Sequence, residues 1–436
     1  MKPLSRRSFV QNLATGGALA VLPRLAAQPA SARLAAGSGD IPKKGDGLDR
    51  QLLRPFSALN PKNTEGSGIV LKDGSILLLW TEFLDVDRMP EKERPPFSAL
   101  RRSAKTDDGY ARISGIVSKD GGRTWSPPRV YVDDADAKVN TMSPAVARLQ
   151  DGRLMLAYSW RSGGNHKDNY GPCARRARFS TDEGNTWSGP VRITPDDGTY
   201  HTGCHDRAWS LPSGRILVQC HTNTPRGQGE GDRFFQKHVY IAYSDDAGKT
   251  WGHSNRLTEN VDVGLNESCL AERADGSLLM VLRSWRGNSF FSESSNGGAT
   301  WSEPRPSGVV APDAPTYLTR IPSTDHLLMI WNCNFNLPAQ TLRIPAAAGQ
   351  AAADLSLSGH AISRCPLLCA VSRDGGRSWG LPRALETDIN YEWAYPGVVF
   401  HGDHALIHYF RSPALERGRE LMLTRVPVKW FYESAI

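Results

Sequence analysis

The sequence predicts an all-β protein, built as a six-bladed β-propeller of four-stranded antiparallel blades. Three observations support this fold class: a box of eight residues recurs five times, hairpin signals precede the boxes, and aromatic residues are frequent. The 12 Trp, 12 Tyr and 13 Phe are too many for a disordered chain, and the 41 Gly and 29 Pro follow no collagen-like period. A chain of 436 residues with this composition is expected to bury a large β-rich core.

The recurring box has the pattern Ser-x-(Asp or Asn)-x-Gly-x-(Thr or Ser)-Trp. The Asp or Asn side chain is expected to accept backbone N–H groups of the turn, the glycine to supply a positive φ angle, and the tryptophan to pack at the sheet edge. Each box follows a short apolar strand and therefore predicts a turn between two strands. The five boxes begin at Ser118, Ser180, Ser244, Ser294 and Ser372.

A second pattern precedes the boxes, in which two short apolar runs flank an Asp-Gly pair, the strongest short-range hairpin signal. It occurs at Asp73-Gly74, Asp151-Gly152 and Asp275-Gly276. A unit of strand, turn, strand, strand, box and strand cannot bury both of its faces alone, and radial stacking of such units makes a propeller. The boxes define five units, and a sixth unit without a box follows at residues 398–426.

The first residues have the features of an export signal. Ser5-Arg6-Arg7-Ser8-Phe9 is a twin-arginine pattern, a mildly apolar stretch follows, and Ala30-Ser31-Ala32 is a cleavage signal. We therefore predict a twin-arginine signal peptide at 1–32, a linker with the first edge strand at 33–60, and the propeller at 61–436. The protein is expected to be bacterial and periplasmic or secreted, with the twin-arginine translocation machinery as its partner during export.

The formal net charge of +7 does not indicate nucleic-acid binding. Residues 1–32 carry four basic residues and no acidic one, which leaves +3 for the remainder, and no Lys/Arg-rich run stands out there. The apolar stretch of the signal is too short to span a membrane, and no later run of about 18 apolar residues predicts a membrane span.

The seven cysteines do not predict a disulfide framework, because their number is odd, their spacing is irregular and no Cys-x-x-Cys pair occurs. Buried free thiols are expected, and one disulfide, Cys365 with Cys369 or Cys204 with Cys220, stays open as an alternative.

A chain with five such boxes in six four-stranded units resembles the sialidase (neuraminidase) superfamily, also called the BNR-repeat or Asp-box family. The resemblance covers about residues 60–436. It implies the fold more specifically than the chemistry, because Asp-boxes lie on the rim and also occur in proteins that are not glycosidases. In bacterial sialidases three arginines bind the substrate carboxylate, a tyrosine activated by a glutamate attacks the anomeric carbon, and an aspartate is the acid/base.

Four positions match that pattern. The resemblance implies that Tyr395 is the nucleophile, that Glu267 activates it, and that Arg283 and Arg364 bind the substrate carboxylate. A single arginine on a propeller is often a rim salt bridge, but four matches in separate places point to one pocket.

Two positions depart from the pattern. The place of the first arginine falls at about Thr64, beside Glu65, and Ser143 stands where the aspartate is expected. Glu65 is therefore predicted to bind sugar hydroxyls.

The third unit offers substitutes in the polar segment 201–207, which is expected on an inner strand. Asp206 is predicted as the acid/base, and Arg207 and His205 as substrate-binding residues, although strand alternation would place both on the face opposite Asp206 unless a bulge intervenes. Two alternatives remain open, a buried hydrogen-bond network and a metal site on His201 and His205. These two histidines would lie about 13 Å apart on a strand, too far to chelate one ion.

The leading hypothesis is an exported glycoside hydrolase that removes a terminal acidic sugar, sialic acid or similar, from a glycan, with no cofactor and no metal. One alternative is a polysaccharide lyase that eliminates a uronide with His205, Arg207 and Tyr395. The other is a non-catalytic carbohydrate-binding propeller.

Overall fold

The computed structural model describes residues 46–96, 107–162, 172–225, 235–257, 264–333, 341–344, 353–356, 364–413 and 418–433. The signal peptide expected at 1–32 and the first part of the expected linker lie outside these residues. With 52% of the chain in strands and 3% in helices, the protein is all-β, as predicted. Among the described residues there is no helix long and apolar enough to cross a membrane.

The strands are numbered β1 to β27 in chain order. The first are β1 Asp49–Arg54, β2 Lys62–Val70, β3 Ile76–Phe83, β4 Ala111–Ser118, β5 Arg129–Val132, β6 Asn140–Arg148, β7 Leu154–Arg161, β8 Cys173–Ser180 and β9 Val191–Arg192. Then follow β10 Tyr200–Thr202, β11 Ala208–Ser210, β12 Ile216–Pro225, β13 Phe235–Ser244, β14 Gly252–His253, β15 Asn266–Glu272, β16 Leu278–Arg283, β17 Asn288–Ser294 and β18 Arg305–Val310. The last are β19 Tyr317–Arg320, β20 Leu327–Asn332, β21 Thr341–Ile344, β22 Ala353–Ser356, β23 Leu367–Ser372, β24 Arg383–Glu386, β25 Tyr391–His401, β26 His404–Pro413 and β27 Glu420–Pro427. Short 3-10 turns lie at Val86–Arg88, Glu91–Glu93 and Val428–Tyr432.

Most of these strands belong to four-stranded antiparallel groups. Four groups are separate sheets, with the orders β2-β3-β4-β5, β15-β16-β17-β18, β19-β20-β23-β24 and β1-β27-β26-β25. A nine-stranded sheet contains β6 to β14, and its two halves meet at a parallel contact between Tyr200 of β10 and Cys173 of β8. The strands β21 and β22 pair with each other. The described strands form no single closed sheet.

The boxes join the third and fourth strands of their groups. In the first box, Ser118 Oγ donates to Asp120 Oδ1 at 2.8 Å, and Thr124 donates its backbone N–H and its hydroxyl to the same carboxylate at 2.9 and 2.6 Å. Gly122, with φ of 83°, donates its N–H to Ser118 Oγ at 2.8 Å, and Trp125 packs against two apolar clusters of the core. The turn therefore satisfies its own donors, as expected from the motif.

The first strands carry irregularities that matter for the site. The pairing register shifts within β2, β6, β15 and β25, and each shift contains a non-glycine residue with a positive φ angle. A fifth residue of this kind lies in the turn between β10 and β11. A bulge of this type re-aims a side chain away from the normal alternation of a strand, at a cost in backbone strain. We call these five the bulge residues: Glu65 (58°), Ser143 (56°), Asp206 (53°), Glu267 (29°) and Tyr395 (58°).

The first described strand completes the last sheet. β1 pairs antiparallel with β27, and Arg425 Nη1 donates to Asp49 Oδ2 at 2.9 Å. An N-terminal strand therefore supplies the fourth strand of the group that carries Tyr395.

All seven cysteines are free thiols; six are buried and Cys333 is half-buried. The expectation of buried thiols is thus confirmed for six of them, and neither alternative disulfide is formed.

Candidate active site

Four of the five bulge residues line one polar cavity of about 250 Å³, and Asp206 is the exception. Five basic side chains line the same cavity, which suits it to an anionic ligand. They are Arg161, Lys237, Arg283, Arg364 and Arg419.

Tyr395 and Glu267 are in direct contact in this cavity. The Tyr395 hydroxyl donates to Glu267 Oε1 at 2.9 Å, and Arg283 Nη1 donates to the Tyr395 oxygen at 3.2 Å while also pairing with Glu267. Burial and the Glu267 charge raise the pKa of the Tyr395 hydroxyl well above its ordinary value. Tyr395 is therefore a neutral phenol whose proton points to a carboxylate.

Glu267 is the ionised partner of this pair. Burial is the largest single effect and opposes its ionisation, but the positive charge of Arg283 and the hydrogen bonds from Arg283 and Tyr395 act the other way, and the pKa of Glu267 is lowered. A carboxylate that already accepts the phenol hydrogen bond is placed to take the proton when the oxygen attacks an electrophile.

The two arginines expected to bind a carboxylate are held by acidic residues. Arg283 Nε donates to Asp313 Oδ1 at 2.6 Å, and Arg364 donates to Glu392 Oε1 at 2.8 Å and to the Asp313 carbonyl at 3.0 Å. The Arg364 guanidinium also lies 5.5 Å from the centre of the Tyr395 ring. Asp313 thus orients both guanidinium groups, one through its side chain and one through its backbone.

Glu65 lies on the cavity wall within a small network of hydroxyls. Its Oε2 accepts from the Thr81 hydroxyl at 2.8 Å and from the Ser143 hydroxyl at 3.1 Å, and Thr81 Oγ1 accepts the Ser143 N–H at 2.9 Å. Burial, aided by the negative charge of Asp107, raises the pKa of Glu65 to about 7. Glu65 thus lines the same cavity as Tyr395 and Glu267, and its role in binding sugar hydroxyls stays a prediction.

His221 is a cavity residue that the sequence analysis missed. The backbone N–H of Cys204 donates to Gln219 Oε1 at 2.7 Å, so the Gln219 amide nitrogen faces His221 Nδ1 at 3.3 Å. This arrangement leaves the His221 proton on Nε2, and burial lowers the pKa of His221 to about 3. His221 is therefore a neutral hydrogen-bond donor. The sequence feature that indicates His221 is its spacing from Gln219. The two polar residues stand two positions apart in a mostly apolar strand, which places both on one face.

Asp206, expected as the acid/base, does not line the cavity. Its two carboxylate oxygens accept from Ser67 Oγ at 2.7 Å and from the Tyr317 hydroxyl at 2.9 Å, and His408 Nε2 lies 3.8 Å away. The expected inner strand is absent here, because residues 203–207 lie in no strand and the chain turns at His205 and Asp206; the position of Asp206 therefore gives no support to the predicted acid/base role.

His205 and Arg207, expected to bind substrate, are fully buried and also lie outside the cavity lining. His205 Nε2 donates to the Tyr395 carbonyl at 3.1 Å, and its ring stacks on the Tyr395 ring at 5.4 Å. Arg207 donates to the carbonyls of His205 and Thr316 at 3.2 and 3.3 Å. The segment is thus the buried hydrogen-bond network that remained open as an alternative, and His205 supports the backbone of Tyr395.

The alternative metal site finds no support in the described part of the chain, where no group of three or more His, Cys, Asp or Glu residues could hold an ion. His201 uses both ring nitrogens within the protein, Nδ1 with the Tyr240 hydroxyl at 2.7 Å and Nε2 with Asp197 at 2.9 Å.

The boxes end the third strands of their sheets, and residues of several first strands line one cavity with basic side chains, so the protein is a repeat-built all-β protein. The chain belongs to the BNR repeat-like domain family, whose sequence profile matches residues 97–408. The resemblance to the sialidase superfamily is thereby confirmed.

Two curated relatives are sialidases of Paraclostridium sordellii and Clostridium perfringens, each 26% identical to this chain over 201 and 211 residues. Each match covers 43% of this chain, and 48% and 51% of those proteins, so the chain matches about half the length of these relatives.

Solved structures share the fold over most of the chain. The Hadza microbial sialidase Hz136 has a TM-score of 0.63 at 18% identity and covers 87% of this chain and 68% of its own. Trypanosoma rangeli sialidase in complex with sialic acid has a TM-score of 0.61 at 14% identity and covers 87% and 59%. At these identities the likeness shows the fold alone.

Proposed function

We propose that the protein is an exported, sialidase-like glycoside hydrolase that removes a terminal acidic sugar, sialic acid or a similar one, from glycans. The observation that carries this proposal is the hydrogen bond from Tyr395 to Glu267, under Arg283, in a cavity lined by basic residues. A cavity near the lower end of the usual range of about 300–1,000 Å³ fits one sugar unit at the end of a chain.

The proposed reaction begins with attack by the Tyr395 oxygen on the anomeric carbon, while the phenol proton passes to Glu267. A neutral phenol approaches an anionic sugar without the like-charge repulsion that a carboxylate would meet. Arg283 and Arg364 hold the sugar carboxylate in this proposal.

We further propose that the four-stranded groups are the six blades of a β-propeller. Four separate sheets and the two halves of the nine-stranded sheet support this arrangement, as does the likeness in fold to sialidase structures. In a propeller the first strands of the blades surround a central site, which agrees with four bulge residues from different strands lining one cavity.

Product analysis tests the proposed reaction. The purified mature chain is incubated with sialosides, with uronide-terminated glycans and with matched neutral glycans. We expect a free acidic sugar with a reducing end from an acidic glycan, and none from the neutral ones. An unsaturated uronide that absorbs in the ultraviolet would overturn hydrolysis in favour of elimination, and binding without any product would favour a carbohydrate-binding propeller. Elimination is the less favoured reaction because His205 and Arg207 do not line the cavity.

We also propose export by the twin-arginine route, on the pattern at residues 5–9 and the cleavage signal at 30–32. Cell fractionation checks this: the double change Arg6→Lys and Arg7→Lys is expected to leave the uncleaved precursor in the cytoplasm. Cleaved, exported protein from that variant would refute the route.

A further inference from the structure

The bulge of β6 lacks the carboxyl group that the resemblance leads one to expect there, but the bulge of β2 carries a carboxyl group, on Glu65. Ser143, on β6, stands where the resemblance leads one to expect an aspartate, and its hydroxyl donates to Glu65, on β2, at 3.1 Å. We propose that Glu65 is the general acid and base of the reaction. This inference rests on the proposed function. It assigns the acid/base, a role that none of the four residues matching the sialidase pattern fills.

The hydrogen bonds of Glu65 leave one oxygen for a ligand. Oε2 accepts from Thr81 and Ser143, whereas no hydrogen bond from the described residues reaches Oε1. The Thr81 hydroxyl points its proton to Glu65 because its oxygen already accepts the Ser143 N–H at 2.9 Å. A carboxylic acid with its carbonyl oxygen at Oε2 and its proton on Oε1 satisfies all of these donors.

The backbone holds Glu65 in this position. Glu65 has φ of 58° at the bulge of β2, and a Cβ at the next residue, Gly66, would lie 2.5 Å from His408 Nδ1. His408 is fully buried, so the glycine allows β2 to pass close to it. The side chain of Glu65 therefore projects from a fixed point on the wall of the cavity that Tyr395 and Glu267 also line.

The charges around Glu65 agree with this role. Burial and the negative charges of Asp107 and Glu267 raise its pKa, while Lys62 and the Thr81 hydrogen bond lower it, and the outcome is a pKa of about 7. The charge of Glu65 also interacts electrostatically with Arg175 and Cys204. Below pH 7 Glu65 is mainly protonated, so it can act as an acid. As the pH rises through about 7 the acid form is lost, and the rate of glycosidic cleavage should fall.

The proposed reaction has two steps. Glu65 Oε1 gives its proton to the glycosidic oxygen as the bond to the anomeric carbon breaks, and the Tyr395 oxygen bonds to that carbon as its proton moves to Glu267. The leaving group departs as an alcohol. In the second step the Glu65 carboxylate takes a proton from water as the water oxygen bonds to the anomeric carbon. The bond between that carbon and the Tyr395 oxygen breaks, and the Tyr395 oxygen takes its proton back from Glu267.

The variant Glu65→Gln tests the assignment with two substrates that differ only in the leaving group. For an alkyl or sugar leaving group, which needs protonation, kcat/KM should fall by about 10²–10³. For an activated aryl glycoside of the same sugar it should fall less than about tenfold, and a burst of aryl alcohol should precede slow turnover because the base for the second step is missing. The fall of kcat/KM above about pH 7 in the wild type should disappear in the variant.

Asp206→Asn is the matched control, since Asp206 is the bulge carboxylate that lies outside the cavity lining. It should affect both substrates equally and leave the pH profile unchanged. Equal losses on both substrates with Glu65→Gln, or no loss, would overturn the assignment of Glu65 while leaving the hydrolase intact. A wild-type chain that cleaves neither substrate nor any acidic glycan would instead overturn the proposed function.

Discussion

Tyr395→Phe is expected to abolish turnover and to leave the fold intact. The change removes one hydroxyl, which donates to Glu267 at 2.9 Å, while the ring keeps its contacts with His205 at 5.4 Å and Phe410 at 5.5 Å. Loss of a nucleophile or of acid/base help typically costs about 10²–10⁴ in rate. Steady-state kinetics on the acidic glycan measure kcat, and thermal unfolding checks that the fold survives.

Tyr391→Phe is the matched control for this experiment. It makes the same change four residues earlier on β25, at a tyrosine that does not line the cavity, and should leave kcat unchanged. Should Tyr395→Phe keep most of its activity, the nucleophile is misassigned, and the reaction must be rebuilt around the carboxyl groups of Glu65 and Glu267.

Gly397→Ala is expected to have the largest effect on stability. A Cβ at this position would lie 2.2 Å from His408 Cε1 and 2.5 Å from Asp206 Oδ2. Both side chains are buried, and Asp206 is held by Ser67 and Tyr317, so neither can move away easily. Overpacking of this kind typically costs about 1–3 kcal/mol, and we expect the free energy of unfolding to fall by about 3 kcal/mol, the upper end of this range.

Denaturant unfolding of Gly397→Ala and of Gly189→Ala measures this effect. An added Cβ at Gly189 meets nothing within 4 Å, and this glycine has no positive φ angle, so its variant should unfold like the wild type. An unfolding free energy of Gly397→Ala within about 0.5 kcal/mol of the wild type, the range of ordinary surface changes, would show that the cluster of His408 and Asp206 can rearrange.

The repeated motif made the all-β fold predictable. The Ser-x-Asp box contains its own donors and acceptors, as Asp120 and Thr124 show, so its turn depends little on the rest of the chain. The Asp-Gly hairpins likewise depend mainly on residues that are adjacent in the sequence. The sequence pattern could not reveal that β1 completes the last sheet by pairing with β27, because that pairing joins distant parts of the chain.

The site was predictable where residues keep their place in the motif and not where the backbone leaves the strand. Glu267, Arg283, Arg364 and Tyr395 line one cavity, as their positions in the units suggested. Asp206 lies outside the cavity lining because the chain forms a turn there, with φ of 53°, instead of the inner strand that the sequence predicts. The positive φ of Asp206 lies outside the boxes and goes with its tertiary contacts to Ser67 and Tyr317, which no local pattern records.

The pairing of β1 with β27 has a consequence for how the chain is made. Asp49 and Arg425 lie 376 positions apart, so at synthesis rates of about 5–20 residues per second β1 waits on the order of 20–75 s for its partner. During that time β1 is an open strand edge, which invites pairing with other chains. The charged residues Asp49, Arg50 and Arg54 on this strand counter such pairing. The segment that leaves the ribosome early thus belongs to the last sheet to be completed, and the fold is finished only after β27 has been synthesised.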